Sequence, residues 1–351
     1  MTLTQTAILT RQIIVFTVIG LVLLIGGLIG YNVWHAYYLA NLPPVEEKPD
    51  LKFGTLPPID FPKVSVSSSN FSYSLDTVTG GLPRIGQDEG FEKLIKVYFI
   101  TRSFATLLSP DRSTNLARQF DITEQPQILS ETQYQFSQND KTLFVDLDNG
   151  NFSYTNESSP SAKESLSDNT SLVSGFKSIL ATLGMIKDDL AAGRDKVVLF
   201  KIFQNALIPT QIRSEAQAAQ ISLWPNSVDG KPVLTARSDE SLVTAVVLGS
   251  SSQIDNYLSL DFTYHPIDAS TFATYPLKDT ALAFEDLKSG KGVVIIEPEK
   301  PQVSISSVSL GYYLPQNYSP YLQPIFIFEG PQFMAYVSAV PDQYQGQSKL
   351  E

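Results

Sequence analysis

Two histidines, His35 and His265, are the only imidazoles in this chain, and there is no cysteine. Thiol catalysis, disulfides, lipobox acylation and thiolate metal sites are therefore excluded. Neither histidine has a second ligand at metal-binding spacing. A Ser-His-Asp arrangement would have to recruit His265, yet no GxSxG turn presents a serine to it. Neither GxGxxG nor GxxxxGK[ST] occurs, so the glycine cradle for nucleotide phosphates is missing. Asp146, Asp148 and Asn149 ahead of Gly150 have the residue types of a calcium loop. The full spacing and the distal glutamate are absent, and Asp-Asn-Gly is ordinary turn chemistry. Glu297 and Glu299 flank Pro298 and read as a solvated loop. The spacing predicts no catalytic residue, no metal site and no cofactor.

What remains is binding. The stretch LGYYLPQNYSPYLQPIFIFEG, residues 310–330, concentrates tyrosine, phenylalanine and proline. Alternation in IFIFE sends Ile325, Ile327 and Glu329 one way and Phe326 and Phe328 the other, which predicts a sheet packed under a helix. Leu282 and Leu287 of the YPLKDTALAFEDL helix are the matching apolar positions. Tyrosines flanking a proline-rich connection can lie on such a sheet with their hydroxyls wet. Tyr312, Tyr313, Tyr318 and Tyr321 are thus the candidate partner-binding residues, as a peptide or glycan groove or as covering for the sheet.

The positioning elements begin with IIVFTVIGLVLLIGGLIGY, residues 13–31, which holds no charge. At 1.5 Å per residue it spans roughly 28 Å, the hydrocarbon thickness of a bilayer. Arg11 precedes it and Glu46, Glu47 and Asp50 follow, which predicts an N-terminus inside and the rest outside. Tyr31, Trp34, Tyr37 and Tyr38 suit the outer interface, and bulky residues there leave no signal-peptidase site. The expectation is an uncleaved signal anchor over 13–34 behind a cytoplasmic tail, 1–12. Gly26 and Gly30 form a GxxxG pair that permits close helix packing, so homo-oligomerisation is possible.

Residues 35–63 hold six prolines and read as a stiff spacer lifting the body off the lipid. Three α+β modules are expected beyond it, over 64–160, 161–268 and 269–343, each a helix with an antiparallel meander, followed by a disordered tail, 344–351. Helix signals lie at Ser109-Pro110, across 165–183, and from Asp279 to Gly290. Asn139-Asp140, Asn149-Gly150 and Asp229-Gly230 supply hairpin turns. The segment NYLSLDFTYHPI, 256–267, is expected to bridge to the last module. Strands and helices do not alternate as βαβ, so the class is α+β with tandem modules.

A hydrophobic share of 43% with 17% charged residues is that of a globular chain. The net charge of −11 argues against nucleic acid, which needs clustered Lys and Arg.

The order YPL, a helix ending in glycine, an LGYY strand, an LQPIF strand and a last strand ending in small residues resembles the C-terminal module of YycH/YycI-type proteins. VDLDNGNF is similar to the strand-turn-strand of PepSY domains. The resemblance covers the anchor, the topology and about residues 270–340. It implies a single-span membrane protein with extracytoplasmic modules that regulates a sensor histidine kinase, and it carries over no catalytic residue. The functional expectation is a membrane-anchored extracytoplasmic binding or regulatory protein that is not an enzyme and contacts another envelope protein. The alternative is a structural cell-surface, adhesive or assembly protein.

Overall fold

The computed structural model describes residues 3–40, 48–63, 65–78, 80–86, 90–158 and 165–346. The chain divides into two compact units, Met1–Lys48 and Pro49–Glu351.

The first unit is one helix, α1 (Leu3–Ala40), whose stretch Ile14–Tyr38 is long and apolar enough to cross a membrane. Its apolar side chains are exposed all round, the signature of a helix solvated by lipid or by other helices. Tyr31 lies over His35 at 5.7 Å and Trp34 over Tyr38 at 5.8 Å, one helical turn apart. A Cβ placed on Gly26 or Gly30 would meet nothing within 4 Å, so these two leave a bare strip on the helix.

In the second unit the strands are β1 (Ser72–Leu75), β2 (Leu94–Ile100), β3 (Gln127–Ile128), β4 (Gln133–Gln138), β5 (Lys141–Asp146) and β6 (Phe152–Asn156). After these come β7 (Asp195–Phe203), β8 (Ala206–Pro209), β9 (Ala218–Leu223), β10 (Val233–Leu234), β11 (Val243–Leu248) and β12 (Tyr257–Phe262). The last are β13 (Ile267–Pro276), β14 (Val293–Ile296), β15 (Gln302–Ile305), β16 (Ser307–Tyr313), β17 (Tyr321–Gly330) and β18 (Phe333–Ser338). The helices are α2 (Ser109–Gln119), α3 (Asn169–Thr182), the short α4 (Asp188–Ala192) and α5 (Thr280–Lys288).

They form one α+β body around two large sheets, not three tandem modules. The upper sheet has nine strands in the order β3-β4-β5-β6-β12-β11-β9-β7-β8, all paired antiparallel. Strands expected in separate first and second modules are joined here, because β12 pairs with β6 on one side and β11 on the other. The segment expected to bridge onward is thus a central strand. The expected boundary at 160/161 lies outside the described residues. The lower sheet runs β10-β16-β17-β18-β14, with β2 on β17 and β13 on β2. It takes β2 from the first expected module, β10 from the second, β13 across the boundary of the second and third, and the rest from the third. Sequence alternation reports which face a strand buries but not which distant strand it pairs with, which is why these mergers escape it.

Local signals hold better. Asp168 Oδ1 accepts from Ser171 N–H at 3.0 Å to cap α3, which buries Leu172, Phe176 and Leu180 against the upper sheet with Phe120, Phe136 and Tyr154. Asp279 caps α5, and Gly290 follows it at φ +92°. Asn139 at φ +55° turns β4 into β5. Asp229 and Gly230 at φ +52° and +69° make the expected tight turn, but its arms meet only at Val228 and Lys231. Beyond that pair the arms diverge: β9 stays in the upper sheet and β10 runs parallel to β16 in the lower one.

The lower sheet has core on both sides. Phe326 and Phe328 pack with Ala283 and Leu287 of α5, while Ile325 and Ile327 pack with Leu234, Tyr313 and Tyr336 on the other side. Leu282 is not a packing residue: it is 62% exposed, and Ala283 and Leu287 face the sheet instead. At Pro324, which has no N–H to donate, β17 changes neighbour from β2, paired through Leu322, to β18, paired from Ile325.

The described part of the proline-rich stretch, residues 48–63, is no free spacer, and residues 41–47 of it lie outside the described residues. Leu56 is fully buried. Its N–H donates to Tyr344 O at 2.8 Å, and its carbonyl accepts from Gly346 N–H at 2.7 Å. Gln323 Nε2 donates to Pro57 O at 2.8 Å, Phe53 stacks on Tyr321 at 4.7 Å, and Phe61 lies on Tyr313 at 5.1 Å. Proline stiffens this strap without the spacer role, since an extended strand can lie on a sheet as readily as project from one. Tyr344–Gly346 likewise belong to the fold, while 347–351 lie outside the described residues.

Candidate functional site

The four candidate tyrosines separate into two pairs. Tyr312 is fully buried, with its hydroxyl donating to Lys96 O at 3.1 Å and its ring edge-on to Tyr98. Tyr313 is buried between Phe61 and Tyr336. Burial raises the pKa of both hydroxyls. Both rings are core, and no partner reaches them in the folded body. Tyr318 and Tyr321 are half-buried. Tyr318 donates to Ile100 O at 3.0 Å and carries the Arg102 guanidinium 5.5 Å from its ring centre. Tyr321 is held between Phe53 and Phe99. The aromatic stretch is mainly covering and core, with Tyr318 its one rim member.

His265 stands beside Tyr318, almost fully buried, and its Nε2–H donates to Gln316 O at 3.1 Å. Burial lowers its pKa, which keeps the imidazole neutral near pH 7. Opposite it, the calcium-like loop turns its oxygens inward. Asp146 accepts from Asp148 N–H and Asn149 Nδ2–H, each at 2.9 Å, and Asp148 Oδ1 accepts from Ala105 N–H at 2.9 Å. These carboxylates organise the turn. Among the described residues no three His, Cys, Asp or Glu converge on a common point.

That bond from Asp148 holds a loop of unusual composition. Residues 101–108 link β2 to α2, and within them Phe104 is 65%, Leu107 99% and Leu108 57% exposed. Thr106 N–H donates to Ser109 Oγ at 3.0 Å, and Arg102 sits over the Phe104 ring at 5.1 Å. Isolated exposed apolar residues are unremarkable, but three within five positions on a tied-down loop form a patch.

A cleft lies elsewhere, on the outer face of the upper sheet. Its volume is about 660 Å³, within the range of small-molecule sites. Pairing sets one cross-strand row in register, from Gln135 through Phe144, Ser153, Asp261 and Thr244 to Ser222. Strand alternation sends the neighbours Val145, Phe152, Phe262 and Val243 into the core behind. The loop Thr235–Ser241 forms one rim, Leu129 and Gln133 the other, and Gln316 of the β16–β17 connection one end. Ser153 Oγ donates to Asp261 Oδ1 at 2.5 Å, Thr235 Oγ1 to Glu240 O at 2.7 Å, and Ser241 Oγ to Leu223 O at 2.5 Å. Arg237 is held by Glu240 at 2.6 Å and by Asp239 at 3.7 Å. Sequence reading missed this site. TLFVDLD and the Asn149-Gly150 turn give Phe144 an outward position beside Ser153, but nothing in the chain announces that Asp261 and Thr244, a hundred or more residues on, continue the row.

No protein-family model matches the chain, and no curated protein matches it. A solved structure of an uncharacterized protein from Eubacterium rectale ATCC 33656 is similar over 76% of this chain and 89% of that one, at 12% identity and a TM-score of 0.34. The YycH/YycI-type expectation has no counterpart in these findings.

Proposed function

We propose that this chain is a single-pass membrane-anchored binding or regulatory protein without catalytic activity, whose body lies outside the membrane and contacts another envelope protein. The observation that carries the contact is the tied-down apolar patch of Phe104, Leu107 and Leu108, which gains by being covered. Each Å² of apolar surface removed from water contributes about 25 cal/mol. Supporting the absence of catalysis, His265 and the Asp146–Asp148 turn are engaged in structural hydrogen bonds. The anchor follows from the apolar helix, and the outward orientation from Arg11 before it and acids after it. A sensor kinase is one partner of this description, but the proposal does not depend on it.

A photoreactive residue replacing Leu107 tests the contact in intact cells. One discrete adduct with a second envelope protein, missing when the probe replaces Leu282, supports it. Adducts with copies of this chain would favour a structural surface layer, and no adduct would refute the patch as a contact. Protease added outside intact cells should remove the body, and complete protection of it would refute the orientation.

A further inference from the structure

The cleft on the upper sheet has polar groups that the fold leaves unused. Asp261 spends Oδ1 on Ser153, while its Oδ2 and the side chains of Thr263, Gln133 and Gln316 make no hydrogen bond among the described residues. Such groups can accept from, and in the case of the amides and the hydroxyl also donate to, a bound molecule. Phe144 is the anomaly of the row. It occupies an outward position between Gln135 and Ser153, is 44% exposed, and lines the cleft with its ring. A phenylalanine on this polar sheet face keeps nearly half of its surface in water, whereas a flat apolar ligand surface laid on it would bury the ring.

Charge narrows the ligand further. Arg237, the one cation lining the cleft among the described residues, is paired with Glu240 and Asp239, and the chain carries a net −11. No free cation remains there for a phosphate or carboxylate. A cationic ligand is little better served, because Asp146 is bonded into its own turn and Glu240 is paired. One carboxylate, Asp261, is left among neutral amides and hydroxyls.

We infer that this cleft binds a neutral saccharide, with the C–H face of a pyranose ring on Phe144 and its hydroxyls on Asp261, Thr263, Gln133 and Gln316. Sugar rings present both surfaces at once: a hydroxyl rim that donates and accepts, and an apolar face for an aromatic ring. The site shares no residue with the Leu107 patch, so a crosslinked partner there bears on the protein contact alone.

The test uses the full chain in lipid nanodiscs on an immobilised panel of neutral cello-, chito-, manno- and malto-oligosaccharides, beside a lysine-rich peptide. At least one glycan class should be retained. Phe144→Ala and Asp261→Asn should each weaken retention by about tenfold or more, equivalent to ~1.4 kcal/mol. The melting temperature of Phe144→Ala should stay near that of the wild type, which separates lost binding from lost folding. Retention of no glycan, undiminished retention by both variants, or capture of the peptide in place of glycans would overturn the assignment.

Discussion

Replacing Leu56 by alanine separates a strap from a spacer. Leu56 is fully buried in the cluster that holds Tyr275, Phe326 and Val340. Its backbone bonds to Tyr344 and Gly346 survive the change, so the substitution removes packing alone. Three carbons leave the core, worth about 2.4 kcal/mol at roughly 0.8 kcal/mol per CH₂. The cavity left behind adds a further penalty, which brings the expected loss to about 3–5 kcal/mol, within the usual Leu→Ala range. At roughly 2–3 °C per kcal/mol for a body of this size, the melting midpoint should fall by about 6–15 °C. Near-ultraviolet circular dichroism of the full chain in detergent reads this directly, because Tyr275 and Tyr344 lie in edge contact beside Leu56. Leu282→Ala, on an exposed position of α5, is the control and should stay within about 0.5 kcal/mol of the wild type. A Leu56 variant that melts with the control would refute the strap.

Phe328 is fully buried between Phe284 and Phe326, so Phe328→Ala should cost about 3–5 kcal/mol by denaturant titration, and a loss under about 1 kcal/mol would remove it from the core. Asp342, bonded by Lys278 and Lys291, titrates at about 2, below its ordinary 3.8. Its folded value is depressed, so its stabilisation is present above 3.8 and is lost as pH falls toward 2; Asp342→Asn should flatten the stability profile across that window, and an unchanged slope would refute the pairing. On α1, replacing Gly26 and Gly30 together by leucine should reduce any detergent-resistant dimer, since the bare strip they leave would be filled, and an unchanged dimer population would exclude packing through this pair.

The parts of this fold legible in the sequence are those whose cause is local. Asp279 announces its helix because an N-cap needs only a side-chain oxygen within reach of the next turn, whereas the helix expected from 165 starts at Asn169 behind the Asp168 cap. Phe326 and Phe328 are recognisable as core from alternation alone. The same alternation leaves Tyr312 and Tyr313 ambiguous, because a strand with core on both faces has no wet side to betray. It says nothing of Phe144, whose meaning depends on Ser153 and Asp261 from strands a hundred residues apart. Residues 35–40 continue α1 and 41–47 lie outside the described residues; over 48–63 proline density reports chain without helix, but a sheet surface and open water accept such a chain equally.

The meeting of Leu56 with Tyr344–Gly346 also governs when the body can fold. β1 pairs with β15 across Ser72 and Gln302 in a separate two-stranded sheet, and β2 joins the lower sheet on β17 across Phe99 and Tyr321, so both pairings join segments more than two hundred residues apart. During synthesis these early segments emerge with no partner, and the last contacts exist only once residue 346 has been made. Contacts of such long sequence separation carry a large loop-closure cost and form slowly. A growing chain can complete the upper sheet first, once β12 has followed β6. The lower sheet is then completed late, and an arrested chain ending near residue 300 would display Phe53, Phe61 and Phe99 as an uncovered apolar surface for chaperones or proteases to find.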